Sequence, residues 1–287
     1  MINKVWINGK FFRGDKAKVS IFDRGFMYGD GVFETMRSYA GLVFKLDEHL
    51  NRLFGCLKII KIKPPFSRKY LKDAVYKSLR ANKLSSAYIK ITITRGEGRF
   101  GIGYEDLFFP NAVIAAKNFD GYPDWMFERG LSAKIIGIRD EESVISKIKS
   151  LNYLPYILAR HDAKDMGFDE AILTNTKGYI AEAATSNIFF IKKDNIITPS
   201  INSGILHGIT RDVIIRIAGK SGFHVEEKFI SRRELLDADE VFLTNSLAEV
   251  LPVTKVDSKK ISSGKVGAIT KLLRISYQKQ VIREALR

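Results

Sequence analysis

The chain has 287 residues and a single cysteine, Cys56, so no disulfide can form within it. Histidine is scarce too. His49, His161, His207 and His224 are scattered without the paired spacing of a zinc site, so no structural metal is expected. Nowhere do about 18 apolar residues run together to make a membrane-spanning helix. The opening "MINKVWINGKFF" has no apolar run of the signal-peptide kind. These absences lead to the expectation of a globular, cytoplasmic protein without a membrane partner. No internal repeat or low-complexity tract is visible.

Positive charge, by contrast, is plentiful: 47 Lys and Arg against 32 Asp and Glu give a formal net charge of +15. A basic surface attracts polyanions, so nucleic-acid binding has to be weighed. Both halves of the chain share the excess. Its densest run, "KIIKIKPPFSRKYLKDAVYKSLRANK", reads as an amphipathic helix from Ser67 to Asn82, with Tyr70, Leu71, Ala74, Val75 and Leu79 facing inward and the lysines solvated. No zinc finger, RNP-type strand or basic zipper accompanies it, and no nucleic-acid partner is expected. With 45% apolar residues the chain can bury a substantial core.

The first part alternates strand and helix patterns. Strands are expected at Val5 to Asn8, Gly31 to Tyr39 and Leu42 to Lys45, with a turn at Ala40-Gly41, a helix from Asp47, and strands at Ala87 to Arg95 and Asn111 to Lys117. "NFDGYPDW" mixes Gly, Pro and Asp as linkers do. The expected organisation is therefore a domain over 1–117, a linker at 118–123 and a second domain over 124–287. In the second domain a strand is expected at Leu131 to Ile138, then a helix capped by Asn152 and running to Met166. Hairpins should turn at Asn175 to Gly178 and at Asp194-Asn195. A helix from Thr210, a strand at Glu240 to Thr244 and a helix over Gly267 to Leu286 complete the pattern.

Two glycine motifs fail on context. "GEGRFG" (96–101) spells the dinucleotide fingerprint after a strand, but "IGYEDLFFPN" follows instead of a helix, which argues against a dehydrogenase. Gly219-Lys220-Ser221 lacks the upstream glycine of a phosphate loop and ends a helix, where the dipole repels phosphate.

The stretch "SVISKIKSLNYLPY" (143–156) offers Lys147 and Lys149 as surface charges or as a nucleophile. A lysine bonded to a phosphorylated aldehyde cofactor needs an amine that can lose its proton, an anion pocket, a carboxylate for the pyridine nitrogen and a partner for the phenolic oxygen. Candidates exist for each. Lys149 precedes an expected helix start, whose partial positive charge disfavours an ammonium. "HGITRD" supplies Thr210 and backbone N–H groups at another helix start, and Arg52 can give a forked phosphate contact. Glu182 lies among small residues in "IAEAATSN", and Tyr153 follows Lys149 by four positions. Taken singly, each has an ordinary structural use: Thr210 as a cap, Arg52 paired with Glu48, Glu182 at the surface, Tyr153 in the core.

Six ordered blocks bring these residues together: "DRGFMYGDGVFETMR", "DEHLNRL", "IKSLNYL", "IAEAATSNIFFI", "ILHGITRD" and "ADEVFLTNSLAEVLPV". Nearly end to end the chain resembles the class IV (fold-type IV) pyridoxal-phosphate-dependent aminotransferases, which include branched-chain and D-amino acid aminotransferases and aminodeoxychorismate lyases. The resemblance implies an α+β fold of two domains, a smaller N-terminal α/β domain and a larger C-terminal domain with a β-barrel-like sheet core, assembled as a homodimer. It implies pyridoxal 5'-phosphate on Lys149, with Arg52, Ile209, Thr210 and Ser246 at the phosphate, Glu182 at the pyridine nitrogen and Tyr153 at the phenolic oxygen. Phe33, Tyr88, Lys90, Arg99, Leu247 and Ala248 become the substrate-side residues. The expected activity moves an amino group between an amino acid, branched-chain or otherwise apolar and of L configuration, and 2-oxoglutarate. Tyr153 and "AEVLPV" favour that substrate class, whereas Lys90, Thr35 and the loop carrying Arg99 leave the lyase and the D-amino acid enzyme as alternatives.

Overall fold

The computed structural model describes residues 3–98, 101–103 and 109–285. It divides into two compact units, Met1–Asp120 with Ile148–Asn152, and Gly121–Lys147 with Tyr153–Arg287. The short segment Ile148–Asn152, expected in the second domain, therefore groups with the first unit. Among the described residues no helix is long and apolar enough to cross a membrane, and no cluster of metal-ligating side chains occurs.

The first unit contains β1 (Lys4–Ile7), β2 (Lys10–Arg13), α1 (Arg24–Tyr28), β3 (Gly31–Tyr39), β4 (Leu42–Val43), α2 (Leu46–Ile59), α3 (Arg68–Ala81), β5 (Ala87–Glu97) and β6 (Phe109–Asn118). The strands form one antiparallel sheet in the order β2-β1-β6-β5-β3-β4. One face is apolar. Val32, Met36, Ile89, Ile91, Ile93 and Ile114 pack there against Leu50, Leu53 and Leu57 of α2 and Leu71, Val75 and Leu79 of α3. Ser67 caps α3 by accepting from Tyr70 N. Tyr70 is the exception to the inward face: its ring stacks on Phe66 at 4.7 Å and is half exposed. Strand β2 escaped the sequence reading although Asn8-Gly9, the strongest two-residue hairpin signal, precedes it, with both residues at positive φ (48° and 95°).

The second unit contains α4 (Asp124–Arg129), β7 (Leu131–Arg139), α5 (Val144–Lys147), α6 (Leu154–Asp165), β8 (Glu170–Asn175), β9 (Ile180–Ala183), β10 (Asn187–Lys192), β11 (Asn195–Pro199), α7 (Ile209–Lys220), β12 (Val225–Lys228), α8 (Arg232–Leu236), β13 (Glu240–Asn245), β14 (Glu249–Val256), β15 (Lys259–Lys260) and α9 (Ala268–Ala285). Its mixed sheet runs β12-β11-β10-β13-β14-β7-β8-β9, with β15 paired to β14. Among the described residues parallel pairing is confined to β11/β12, β14/β7 and β7/β8. The protein is α+β.

Several boundaries differ from expectation. The β10-β11 hairpin turns on Lys193-Asp194 (φ 50° and 65°), and Asn195 already belongs to β11. Helix α6 starts at Leu154 with Tyr153 as N-cap, and the side chain of Asn152 instead donates to Gly29 O at 3.3 Å. Helix α7 starts at Ile209 with Gly208 as N-cap, so Thr210 lies inside its first turn rather than capping it.

Candidate active site

In the first unit, Lys149 is fixed by its backbone. The segment Ile148–Asn152 runs antiparallel beside β3, with Phe33 N donating to Lys149 O at 2.9 Å and Leu151 N to Gly31 O at 3.0 Å. Gly31 must lack a side chain, since a Cβ there would come within 2.6 Å of Ile93 O. The Lys149 Nζ lies 4.5 Å from the centre of the Phe33 ring, and the Lys90 Nζ lies 4.6 Å from the same centre. Strand alternation explains this meeting. Thr35 opposes Lys90 and Arg37 opposes Tyr88 across β3 and β5, so Phe33, Tyr88 and Lys90 share the sheet face away from the apolar core. Burial pushes the Lys90 ammonium below the ordinary lysine range.

Glu34, one step along β3 from Phe33, points to the opposite face and is fully buried. Its carboxylate accepts a fork from Arg52 Nε and Nη2, both at 2.7 Å, and a contact from His49 Nδ1 at 2.7 Å. His49, Arg52 and Cys56 line one face of α2 at helical spacing. Burial alone would raise the Glu34 carboxyl, but the Arg52 charge and hydrogen bonds, with His49, hold it at about 2. Burial likewise lowers His49, overriding the opposing pull of Glu34. Cys56 is raised by burial although its thiol meets the Lys149 backbone. Arg52 therefore pairs with Glu34. Glu48, its alternative from sequence, lies 3.4 Å from Lys45 instead.

In the second unit, Glu182 lies on β9 between Ala181 and Ala183 and is buried, not exposed. Its Oε1 lies 2.8 Å from Arg139 Nη1, and its Oε2 accepts from Asn187 Nδ2 at 3.1 Å and Leu206 N at 3.0 Å. Asn187 packs so closely on the start of α7 that a Cβ on Gly208 would lie 1.8 Å from its Oδ1. Ile209 and Thr210 are buried in the first turn of α7, whose N-terminus has no side-chain cap. Asn245 Oδ1 accepts from Leu247 N at 2.9 Å and Ala248 N at 2.7 Å, shaping the turn that carries Ser246, Leu247 and Ala248. Asn245 Nδ2 donates to Ser186 Oγ at 2.8 Å, tying that turn to the loop after Glu182. Tyr153 contacts Tyr156, ring to ring at 4.9 Å, and the Tyr156 hydroxyl meets Arg139.

Each unit thus gathers its own share of the expected residues: Phe33, Arg52, Tyr88, Lys90 and Lys149 in the first, Tyr153, Glu182, Ile209, Thr210, Ser246, Leu247 and Ala248 in the second. Arg99 lies outside the described residues. Sequence reasoning gave no role to Glu34, His49, Arg139, Tyr156 or Asn187. Only Glu34 carried a signal: a carboxylate at a core-facing position of an alternating strand needs a cation.

A buried carboxylate held by an arginine occurs in each unit, and an amine lies on the outward face of β3 in the first. The comparisons with known proteins specify the class of protein. The profile of amino-transferase class IV matches residues 31–256, and the chain belongs to that family. It is 39% identical over 277 residues to a Methanocaldococcus jannaschii protein provisionally named branched-chain-amino-acid aminotransferase, covering 96% of this chain and 95% of that one. It is 34% identical over 286 residues to the D-alanine aminotransferase of Bacillus licheniformis, covering 98% of each. Among solved structures it resembles a T.th. branched-chain amino acid aminotransferase complexed with N-(5'-phosphopyridoxyl)-L-glutamate. There the TM-score is 0.91 at 31% identity, with 98% of this chain and 94% of that one covered. The protein is accordingly a pyridoxal-phosphate-dependent aminotransferase. Its residues fit that cofactor chemically: a primary amine and a guanidinium locked by a carboxylate in one unit, and a buried carboxylate with an uncapped helix start in the other.

The Glu34 cluster has a measurable signature. A carboxyl lowered from 4.5 to about 2 on folding contributes stability that is complete above pH 4.5 and lost as pH falls through about 2. Glu34→Gln should cost about 3 kcal/mol at neutral pH, because it leaves Arg52 without its counter-charge. It should also flatten the acid limb between pH 4.5 and 2, which urea unfolding across that range would measure.

Proposed function

We propose that the enzyme transfers the amino group of apolar, branched-chain L-amino acids to 2-oxoglutarate, with Lys149 as the cofactor-bonding and proton-moving amine. The observation that carries this reading is the placement of Lys149 beside β3, its Nζ over the Phe33 ring on the face that also bears Tyr88 and Lys90. The substrate class rests on relatives and structures named as branched-chain aminotransferases.

On this reading Arg52, Ile209, Thr210 and Ser246 hold the phosphate, Glu182 faces the pyridine nitrogen and Tyr153 faces the phenolic oxygen. Bound pyridoxal phosphate supplies the electron sink that makes the substrate's Cα–H acidic. Lys149 would accept that Cα proton as general base and return it as general acid on the far side of the nitrogen that joins substrate and cofactor. Glu182, held by three partners, keeps the ring nitrogen protonated. Phe33 and Tyr88 wall the apolar side chain, Lys90 attracts a carboxylate, and Leu247 and Ala248 border the substrate. A second reading, activity on D-amino acids, is favoured by the likeness to the D-alanine aminotransferase.

A homodimer belongs to the same proposal. Ile21, Phe22 and Phe26 stand exposed on one short stretch of the first unit, as surface covered by a second copy would. Light scattering should report a dimer, and Phe26→Asp should shift it toward monomer.

Two experiments test the chemistry. Purified protein supplied with pyridoxal phosphate should develop a near-visible absorption band that L-leucine bleaches faster than D-alanine. Lys149→Ala should lose the band and about 10⁴-fold of turnover. Faster bleaching by D-alanine would move the assignment to the second reading, and pyruvate released from aminodeoxychorismate with the band intact would make the enzyme a lyase. The lowered Lys90 ammonium gives the other test. It attracts a carboxylate only while protonated, so KM for 2-oxoglutarate should rise as pH climbs through a value below the ordinary lysine range. In Lys90→Arg, which stays charged, KM should remain flat.

A further inference from the structure

One buried cation of the second unit, satisfied at every nitrogen, has no part in the roles assigned so far. Arg139 closes β7 and its side chain is 4% exposed. Its Nε donates to Gly204 O, its Nη2 to Ser146 O, and its Nη1 to the Tyr156 hydroxyl while pairing with Glu182 Oε1 at 2.8 Å. Gly204 is confined to its left-handed turn (φ 83°), where a Cβ would lie 2.5 Å from Glu141 Cα, so its carbonyl is fixed by backbone rather than by a mobile side chain. Taking a guanidinium out of water costs several kcal/mol, and a pair that served stability alone could be replaced by apolar residues at little loss. Here the cation is instead matched to a carboxylate whose other oxygen already holds Asn187 and Leu206 N. On its far side Tyr156, raised by burial and so kept as a phenol, touches Tyr153.

We propose that Arg139 is the positioning residue that keeps the Glu182 carboxylate charged and aimed, and that joins it through Tyr156 to Tyr153. The inference rests on the proposed placement of Glu182 at the ring nitrogen and Tyr153 at the phenolic oxygen. It adds that these two contacts, at different edges of the ring, are set by one guanidinium. Without that cation a buried carboxyl takes up a proton. A neutral Glu182 cannot keep the ring nitrogen protonated, and an unprotonated ring withdraws less charge from the Lys149–cofactor linkage. The linkage then holds its own proton to higher pH.

The test is the pH titration of the near-visible band in holoenzyme. Arg139→Met and Arg139→Gln should each move the midpoint up by about one pH unit or more. Arg139→Lys, which keeps the charge, should stay within a few tenths of the wild type. Glu182→Gln should shift the midpoint in the same direction, and adding Arg139→Gln to it should move it no further, the mark of two residues acting as one. If Arg139→Met does not fold, the Gln and Lys variants decide the matter by themselves. Neutral variants at Arg139 that titrate like the wild type while Glu182→Gln is shifted would overturn the inference and leave the site assignment standing. A Glu182→Gln protein that also titrates like the wild type would remove both.

Discussion

Two main-chain hydrogen bonds, Phe33 N to Lys149 O and Leu151 N to Gly31 O, are the constraint on which the first unit's arrangement of side chains depends. They dock a short segment against β3, and the period-2 geometry of that strand does the rest. Phe33 faces outward under the Lys149 and Lys90 ammonium groups, while Glu34 faces the helices and anchors Arg52. A one-residue slip of β3 would exchange those roles, placing a carboxylate beside the amine and a phenyl ring against the guanidinium. Register here is held by eight consecutive pairs between β3 and β5 and by Gly31, the one position where a Cβ would strike the Ile93 carbonyl.

Each unit answers the cost of burying a carboxylate in the same manner. Glu34 and Glu182 are both met by an arginine and by a second donor, His49 in one case and the Asn187 amide with Leu206 N in the other. The difference lies in how the arginine binds. Arg52 gives Glu34 a two-point fork, which fixes the plane of the guanidinium. Arg139 meets Glu182 through Nη1 and spends its other N–H groups on backbone carbonyls and a phenol, which fixes the carboxylate relative to three separate pieces of chain. The first arrangement orients a cation and the second orients an anion. On the proposed reading, Arg52 at a phosphate and Glu182 at a ring nitrogen would need those two things respectively.

Much of this was legible in sequence because it depends on local rules. Alternation along 87–95, the helix beginning near Ser67 and the Ala40-Gly41 turn all appear in the structure. What escaped depends on contacts distant in the chain. Arg139 and Glu182 are 43 positions apart, and Glu34 and Arg52 are 18. No periodicity announces such pairs. The helix starts were misplaced for a related reason. Asn152 and Thr210 are good caps by residue type, but Asn152 is drawn to Gly29 O, and Gly208 takes the cap position at α7 because the Asn187 side chain leaves no room for a Cβ there.

Lys90 shows how one residue type limits what a site can select. Half-buried over Phe33, it has no carboxylate partner among the described residues, so its desolvation is offset within the protein only by the ring beneath it. An anionic ligand is the natural remedy, and an ammonium accepts a carboxylate from many directions, whereas a guanidinium fork accepts it in one plane. On the proposed reading, Lys90 therefore draws a carboxylate in without fixing its orientation, and by itself it cannot choose between mirror-image amino acids. That choice must come from groups of defined direction. In the first unit Tyr88 is such a group, on the same sheet face as Lys90. In the second it is the Leu247 and Ala248 main chain, whose N–H groups are already committed to Asn245 Oδ1. On the proposed reading, handedness would then depend on the rigidity of that turn more than on the charge that attracts the substrate.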